Sequence, residues 1–288
     1  MKILIIGKNS YIGNHIDKWL TDNGHQVKQL DAVSEDWKQY DYSIFDTIVH
    51  VAGIVHRPNC KDWNLYKSVN TEMPISIATI AKSQGVKQYI FISTMGVYAA
   101  GKRLNGFIID KETPMSKDDS CYYSRSKILA EKGLNEIREN TFNVAIVRPP
   151  SVYGKGCKGG YITGFKSIAS KLPIIPKAYE KGIQSFIYID NLCECIRLII
   201  EKRMSGIFCP QDDEIPNANR LLEVICNGIG KRYRSSSFLG SCLKLISFLP
   251  IVKKAYGGIS YSRELSQISE FNYIVVPFRE GMKLTVTK

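Results

Sequence analysis

The hydrophobic pattern of this 288-residue sequence predicts an α/β fold, a doubly wound parallel sheet carrying a smaller C-terminal lobe. Three observations carry that expectation. Short, largely apolar runs recur at residues 2–6, 47–52, 88–92 and 143–147, and such runs suit parallel strands covered on both faces rather than strands with one wet face. Between them lie stretches with helical spacing, so that strand and helix alternate. After residue 150 the alternation breaks, with glycines at 154, 156, 159, 160 and 164 and prolines at 173 and 176.

Lys2–Ile6 is the first expected strand, cut short by Gly7. In the helix that follows, Ile12, Ile16, Trp19 and Leu20 share one face, and Gly24 stops it. Val27–Leu30 reads as the second strand, ending at Asp31, and the polar stretch beyond has room for a brief third strand near Trp37. Thr47–Ala52 is a fourth strand, and a helix over about 65–84 leads into a fifth, Gln88–Ile92. A helix over 121–139 precedes the sixth, Asn143–Val147, which stops at Arg148-Pro149-Pro150. Ser185–Ile189 reads as one further strand, followed by a helix to about Glu201.

Composition narrows the function classes. With 44% hydrophobic and 23% charged residues, the chain has the make-up of an ordinary globular protein able to bury a sizeable core. Its net charge of +12 is spread along the sequence with no long run and no nucleic-acid motif, so the expected partners are diphosphates and not nucleic acid. The eight cysteines (60, 121, 157, 193, 195, 209, 226 and 242) form no CxxC pair and sit mostly among apolar residues, the pattern of reduced thiols in a cytoplasmic protein. Histidines 15, 25, 50 and 56 make no metal-ligand grouping, and no metal is expected. The N-terminus reads as a strand and not a signal peptide, and no run reaches the roughly 18 apolar residues of a membrane span. Phe238–Val252 comes nearest, interrupted by Lys244 and Pro250; it reads as a core helix, with peripheral membrane contact the lesser alternative.

Gly7-Lys8-Asn9-Ser10-Tyr11-Ile12-Gly13 joins the first strand to the first helix. Gly7 makes the tight turn, Gly13 lets the helix pack on the sheet, and the helix N-terminus offers N–H groups to a pyrophosphate. Asp31 stands where an acid bonds the adenosine ribose hydroxyls. Its charge favours NAD over the 2′-phosphate of NADP, which Lys8 keeps open as an alternative. Residues 1–150 are therefore expected to form a dinucleotide-binding Rossmann domain, to which 185–203 return, and 151–288 mainly a substrate lobe. Val51-Ala52-Gly53 lets the cofactor pass close to the backbone.

Tyr123 and Lys127 lie four apart, on one face of a helix. A free phenol, with pKa near ~10, is a poor base at neutral pH; a lysine cation and an oxidised nicotinamide beside it favour the phenolate. Tyr122 points elsewhere and is the weaker candidate. Ser93 and Thr94 end a strand where an open parallel sheet collects ligands, and a hydroxyl there can bond the oxygen of a reacting alcohol or ketone.

Together these residues resemble the extended short-chain dehydrogenase/reductase superfamily, in its sugar-nucleotide epimerase/dehydratase branch, over nearly the whole chain. Gly7–Gly13 is similar to that branch's cofactor turn, with Ser10 in place of its central glycine. Ser93-Thr94-Met95-Gly96-Val97-Tyr98 resembles its hydroxyl-bearing strand end, and Tyr123 and Lys127 match its YxxxK. The resemblance makes Thr94, Tyr123 and Lys127 catalytic and gives Asn70 the place of an active-site helix asparagine. It sets Gly7, Asn9, Ser10, Tyr11, Ile12, Gly13, Asp31, Val51, Ala52, Gly53, Ser93, Pro150 and Val152 beside the cofactor, along with Tyr123 and Lys127. Against the substrate it sets Thr94, Met95, Tyr123, Ser151, Gln184 and Arg263.

Two departures are informative. The 4,6-dehydratases carry an Asp-Glu pair directly after the catalytic Thr; Met95-Gly96 stands here, which argues against dehydration. Gln184 occupies the place of a diphosphate-binding arginine, with Lys155, Lys158, Lys177 and Arg263 as candidate substitutes. The short chain, Val51–His56, Arg148–Gly154 and Tyr188–Leu192 are most similar to 4-ketoreductases of capsule and O-antigen synthesis. The resemblance implies a homodimer acting on a UDP-sugar, either as a reductase of a UDP-4-keto-6-deoxy-N-acetylhexosamine or as a UDP-glucose/UDP-N-acetylglucosamine 4-epimerase. A non-catalytic NAD(P) sensor on the same fold is the alternative of another class.

Overall fold

The computed structural model describes residues 1–33, 36–55, 62–157 and 160–287. The chain opens with β1 (Lys2–Ile6), α1 (Tyr11–Asp22), β2 (Gln26–Leu30) and β3 (Thr47–His50). Then α2 (Trp63–Lys67), a π-helical turn (Ser68–Glu72) and α3 (Met73–Ser83) follow without a break and lead to β4 (Gln88–Ile92). After β5 (Ile108–Ile109) come α4 (Tyr122–Ile137), β6 (Asn143–Val147), β7 (Ser151–Tyr153), α5 (Gly160–Lys171) and β8 (Ile175–Pro176). The remainder comprises β9 (Phe186–Tyr188), α6 (Ile189–Glu201), β10 (Gly206–Phe208), α7 (Ala218–Gly228), β11 (Ser235–Ser236) and α8 (Ser237–Leu245). It ends with α9 (Pro250–Tyr256), β12 (Ser260–Tyr261), α10 (Arg263–Ser266) and α11 (Phe278–Val286).

Six parallel strands form one sheet in the order β10-β6-β4-β3-β1-β2. Alternate residues of each strand feed opposite faces, as the two-residue repeat requires. Ile3, Ile5, Val49, Ile90, Ala145 and Val147 pack under α1 and α6, against Ile16, Leu20, Ile196 and Ile199. Leu4, Ile6, Ile48, Tyr89, Phe91, Val144 and Ile146 face α3 and α4, against Ile77, Ala81, Ala130 and Leu134. Each such aliphatic side chain contributes on the order of 1.5–3 kcal/mol by leaving water. The result is a three-layer, doubly wound Rossmann sheet.

The third strand expected near Trp37 is absent among the described residues, so β2 is the sheet edge and Thr47–His50 is the third strand. The local chemistry explains the difference. The Asp36 carboxylate accepts from Lys38 N (3.1 Å) and that of Asp41 from Ser43 N (3.0 Å), and these Asx turns divert backbone donors that a ladder needs.

At the opposite edge, β10 joins the sheet from residues 206–208, just beyond the segment 185–203 expected to return to it. Helix α6 is tied to α1 by a hydrogen bond from Trp19 Nε1 to Glu194 (3.0 Å), and Arg197 clasps both Glu194 and Glu201. Three parallel pairs, β7–β9, β8–β11 and β5–β12, frame the region beside the sheet's C-terminal edge. The seven described cysteines are free thiols, and four of them are buried.

Candidate active site

The first turn of α1 lies over the C-terminal ends of β1 and β3. Gly7 has φ +126°, and a Cβ there would come within 2.8 Å of Ala52 N, so only glycine fits between the two strand ends. Asn9 takes the left-handed conformation at φ 64° that asparagine tolerates. Ser10 caps α1, its hydroxyl accepting from Gly13 N at 3.0 Å. A Cβ on Gly13 would lie 2.5 Å from that hydroxyl oxygen, so Ser10 and Gly13 form one fitted pair. This cradle fits a dinucleotide's pyrophosphate, although Ser10 spends one of the first-turn N–H groups that the ligand would otherwise meet. Asp31 follows β2 as expected; its Oδ1 accepts from Val33 N at 3.0 Å, which fixes the carboxylate at the strand end. The Tyr11 ring packs on His15 and reaches the Gly154 turn, with its hydroxyl buried and unpartnered.

A second set of residues gathers at the ends of β3, β4 and β6. One cleft of about 160 Å³ is lined by Ile12, Val51, Gly53, Thr94, Tyr123 and Lys127, with Ser93, Pro150 and Val152 also on its wall. The structure thus brings together the glycine-turn helix, the hydroxyl strand end and the Tyr–Lys pair. Lys127 is buried on α4; its ammonium donates to Ile92 O at 2.8 Å and lies 4.3 Å from the centre of the Phe91 ring. Burial pulls its pKa down to about 8, against the raising effect of the Glu131 carboxylate one turn along. Tyr123 is pushed up from the usual phenol value by burial, while a hydrogen bond with Thr94 pulls it back. Thr94 also caps the short 3-10 turn Met95–Val97, accepting from Gly96 N at 3.1 Å.

Asn70 sits in the π-helical turn and is fully buried. Its Oδ1 accepts from Ile54 N at 2.7 Å, and its Nδ2 donates to Ile54 O at 2.9 Å and to Ser126 Oγ at 3.1 Å. Asn70 therefore pins the loop after β3 to α4. A Cβ on Gly53 would lie 3.0 Å from Asn70 Oδ1 and 3.5 Å from Lys127 Nζ, which is why a glycine stands there.

A model of the NAD dependent epimerase/dehydratase family matches residues 3–208, the whole sheet from β1 to β10. The chain belongs to that family. Like its other members it is an NAD(P)-dependent enzyme of the short-chain dehydrogenase/reductase type. The UDP-glucose 4-epimerase of Vibrio cholerae is 26% identical over 234 residues, 73% of this chain and 70% of its own length. Two solved structures share the fold. A UDP-glucuronic acid 4-epimerase from Bacillus cereus, in complex with NAD, has a TM-score of 0.72 at 17% identity, covering 99% of this chain and 96% of that one. A dTDP-4-dehydrorhamnose reductase from Clostridium acetobutylicum has a TM-score of 0.72 at 15% identity, covering 98% and 97%. Fold likeness is the same for an epimerase and a reductase.

Within this epimerase/dehydratase chain, several expected site residues lie elsewhere than the cleft wall. Met95 is buried in a small apolar cluster with Val97, Ile128 and Cys209 and is not among the residues that line the cleft. Ser93 reaches the cleft, but its hydroxyl donates to Glu131. Ser151 and Gln184 meet at 3.4 Å beside a neighbouring cavity of about 380 Å³, and Gln184 Oε1 is buried without a partner. Arg263 borders a different cavity and donates to Asp213 O at 3.3 Å. Of its alternatives, Lys155 is exposed, Lys177 pairs with Glu180 at 3.3 Å, and Lys158 lies outside the described residues, as do His56 and Cys60.

Sequence reasoning passed over Glu131 and gave Arg148 no role of its own. Their buried ion pair, Nη2 to Oε2 at 2.5 Å and Nε to Oε1 at 3.1 Å, stands directly behind Lys127 and also binds Ser93 and the Tyr98 hydroxyl. A signal existed: Glu131 continues the four-residue spacing of Tyr123 and Lys127 along the same helix face.

Proposed function

We propose that this chain carries out NAD(P)-dependent oxidoreduction at C4 of a UDP-hexose, with reduction of a UDP-4-keto-6-deoxy-N-acetylhexosamine, as used in bacterial surface polysaccharides, the favoured reaction. The observation that supports it is the single cleft lined by Thr94, Tyr123 and Lys127 at the strand ends, with buried Met95 where elimination of water needs an acid. When bound, the nicotinamide supplies the hydride. Tyr123, held protonated by its burial, gives a proton to the C4 oxygen as it becomes an alkoxide. Thr94 bonds the same oxygen, and Lys127 stabilises the phenolate left behind and the nicotinamide ribose.

The second reading is 4-epimerisation of UDP-glucose or UDP-N-acetylglucosamine, supported by the Vibrio cholerae relative. There Tyr123 first removes a proton, and the keto sugar turns before hydride returns. Stopped assays with UDP-4-keto-6-deoxy-N-acetylhexosamine separate the two. The reductase consumes one NAD(P)H per sugar reduced, and Tyr123→Phe loses about 10²–10⁴ of the rate. Interconversion of UDP-glucose and UDP-galactose without net NAD(P)H consumption would overturn the reductase in favour of the epimerase.

A further inference from the structure

Away from the Tyr123 cleft, the face made by α8 and α9 is unlike the surface around it. Phe238 is 76% exposed, Leu245 80%, Phe248 78% and Ile251 66%, all within one short stretch of chain. Large apolar side chains exposed singly are ordinary, but four of them between Phe238 and Ile251, on two successive short helices and the turn that joins them, mark a surface that meets something. The orientation of α8 is fixed from below. A Cβ on Gly240 would come within 1.9 Å of Lys177 O, and Leu243 packs into the core. Phe238, Cys242 and Leu245 consequently point outward at helical spacing.

The stretch of chain that carries this apolar ridge has charges of one sign. Residues 224–262 contain Lys231, Arg232, Arg234, Lys244, Lys253 and Lys254 and no Asp or Glu. Lys231 is tied to the carbonyls of Ala169, Ser170 and Leu172, whereas Lys244, Lys253 and Lys254 are exposed beside the ridge. At the foot of α8 a cleft of about 630 Å³ is lined by Lys177, Lys181 and Lys244 with Ser237 and Ser241, and Glu180 is its one acidic lining residue.

We propose that the α8–α9 face docks on an anionic lipid bilayer surface. Phe238, Leu245, Phe248 and Ile251 enter the boundary between headgroups and acyl chains, and the flanking lysines meet lipid phosphates. Among the described residues no helix is long and apolar enough to cross a membrane, so the face lies on the bilayer. A second copy of the chain is the poorer occupant: pairing this face with itself would oppose lysine to lysine, with no acid in the stretch to offset them.

Cosedimentation of the full chain with sucrose-loaded vesicles tests this. The protein should pellet with mixed phosphatidylcholine and phosphatidylglycerol vesicles, stay in solution with pure phosphatidylcholine, and be released by high salt. The exposed-site variants F238S/L245S/F248S/I251S and K244E/K253E/K254E should each weaken binding more than tenfold, with thermal midpoints unchanged. Wild type left in the supernatant with anionic vesicles would overturn the proposal, as would equal pelleting of the four-serine variant. A concentration-dependent dimer that the four-serine variant abolishes would give the face to a second copy instead.

Discussion

Lys127 carries two opposing influences, burial and the Glu131 carboxylate, and the balance leaves its pKa at about 8. Glu131 on the same helix, itself paired with Arg148, is the charge that holds the proton on Lys127, and His50 on β3 feels the ammonium in turn. If turnover needs the cation, activity falls as pH rises through that value. Glu131→Gln keeps the shape but removes the charge, so the alkaline limb of kcat/KM should move to lower pH, read against a circular-dichroism control for folding. An unmoved limb would show that Glu131 serves packing alone. That Thr94, Tyr123 and Lys127 would meet in one cleft was legible in the sequence, because Tyr, Lys and Thr have few reasons to fall at those three places together. Glu131 and Arg148 were not, since a buried ion pair joins residues 17 positions apart that no local spacing links.

At the scale of elements, the glycine turn shows how a departure from a motif can be structural. Ser10 stands where a glycine was expected to approach the pyrophosphate, and it caps α1. Ser10→Ala should lower stability by about 1 kcal/mol, and Ser10→Gly by only a few tenths, measured by urea unfolding. Equal losses in both would deny the cap. The strands and the helices around them followed from apolar runs and spacing, whereas the supposed strand near Trp37 failed because Asx turns use local side chains that hydrophobic pattern does not weigh. The π-helical turn at Ser68–Glu72 was equally unreadable: its reason is Asn70, whose partners Ile54 and Ser126 lie on other elements.

For the molecule as a whole, stability should depend on acid through His50. It is completely buried beside Tyr89 (2.6 Å to the hydroxyl) and Phe91, and burial together with the Lys127 charge pushes its pKa down to about 3. Between that value and its ordinary 6.5 the unfolded chain binds the proton and the folded chain does not, so stability falls as pH drops through this window. Each unit of the gap is worth about 1.4 kcal/mol. Asp212, raised to about 6 by burial, tilts the other way over part of the same range. The comparison with His50→Gln isolates the histidine: the variant's urea midpoint should rise relative to that of wild type as pH drops from 6.5 to 4. Parallel curves would remove His50 from the account.

The missing edge strand has a bearing on the crowded cell. A sheet that stops at β2 offers a row of backbone donors and acceptors on which any extended chain could anneal. Gln26 and Lys28 are exposed along that five-residue row, and a cation at its middle makes annealing of a second β2 self-repelling. Lys28, whose ammonium lies 5.2 Å from the centre of the Tyr40 ring, is the kind of edge cation that discourages such pairing. It stands at an edge because the turns at Asp36 and Asp41 take the place of a further strand.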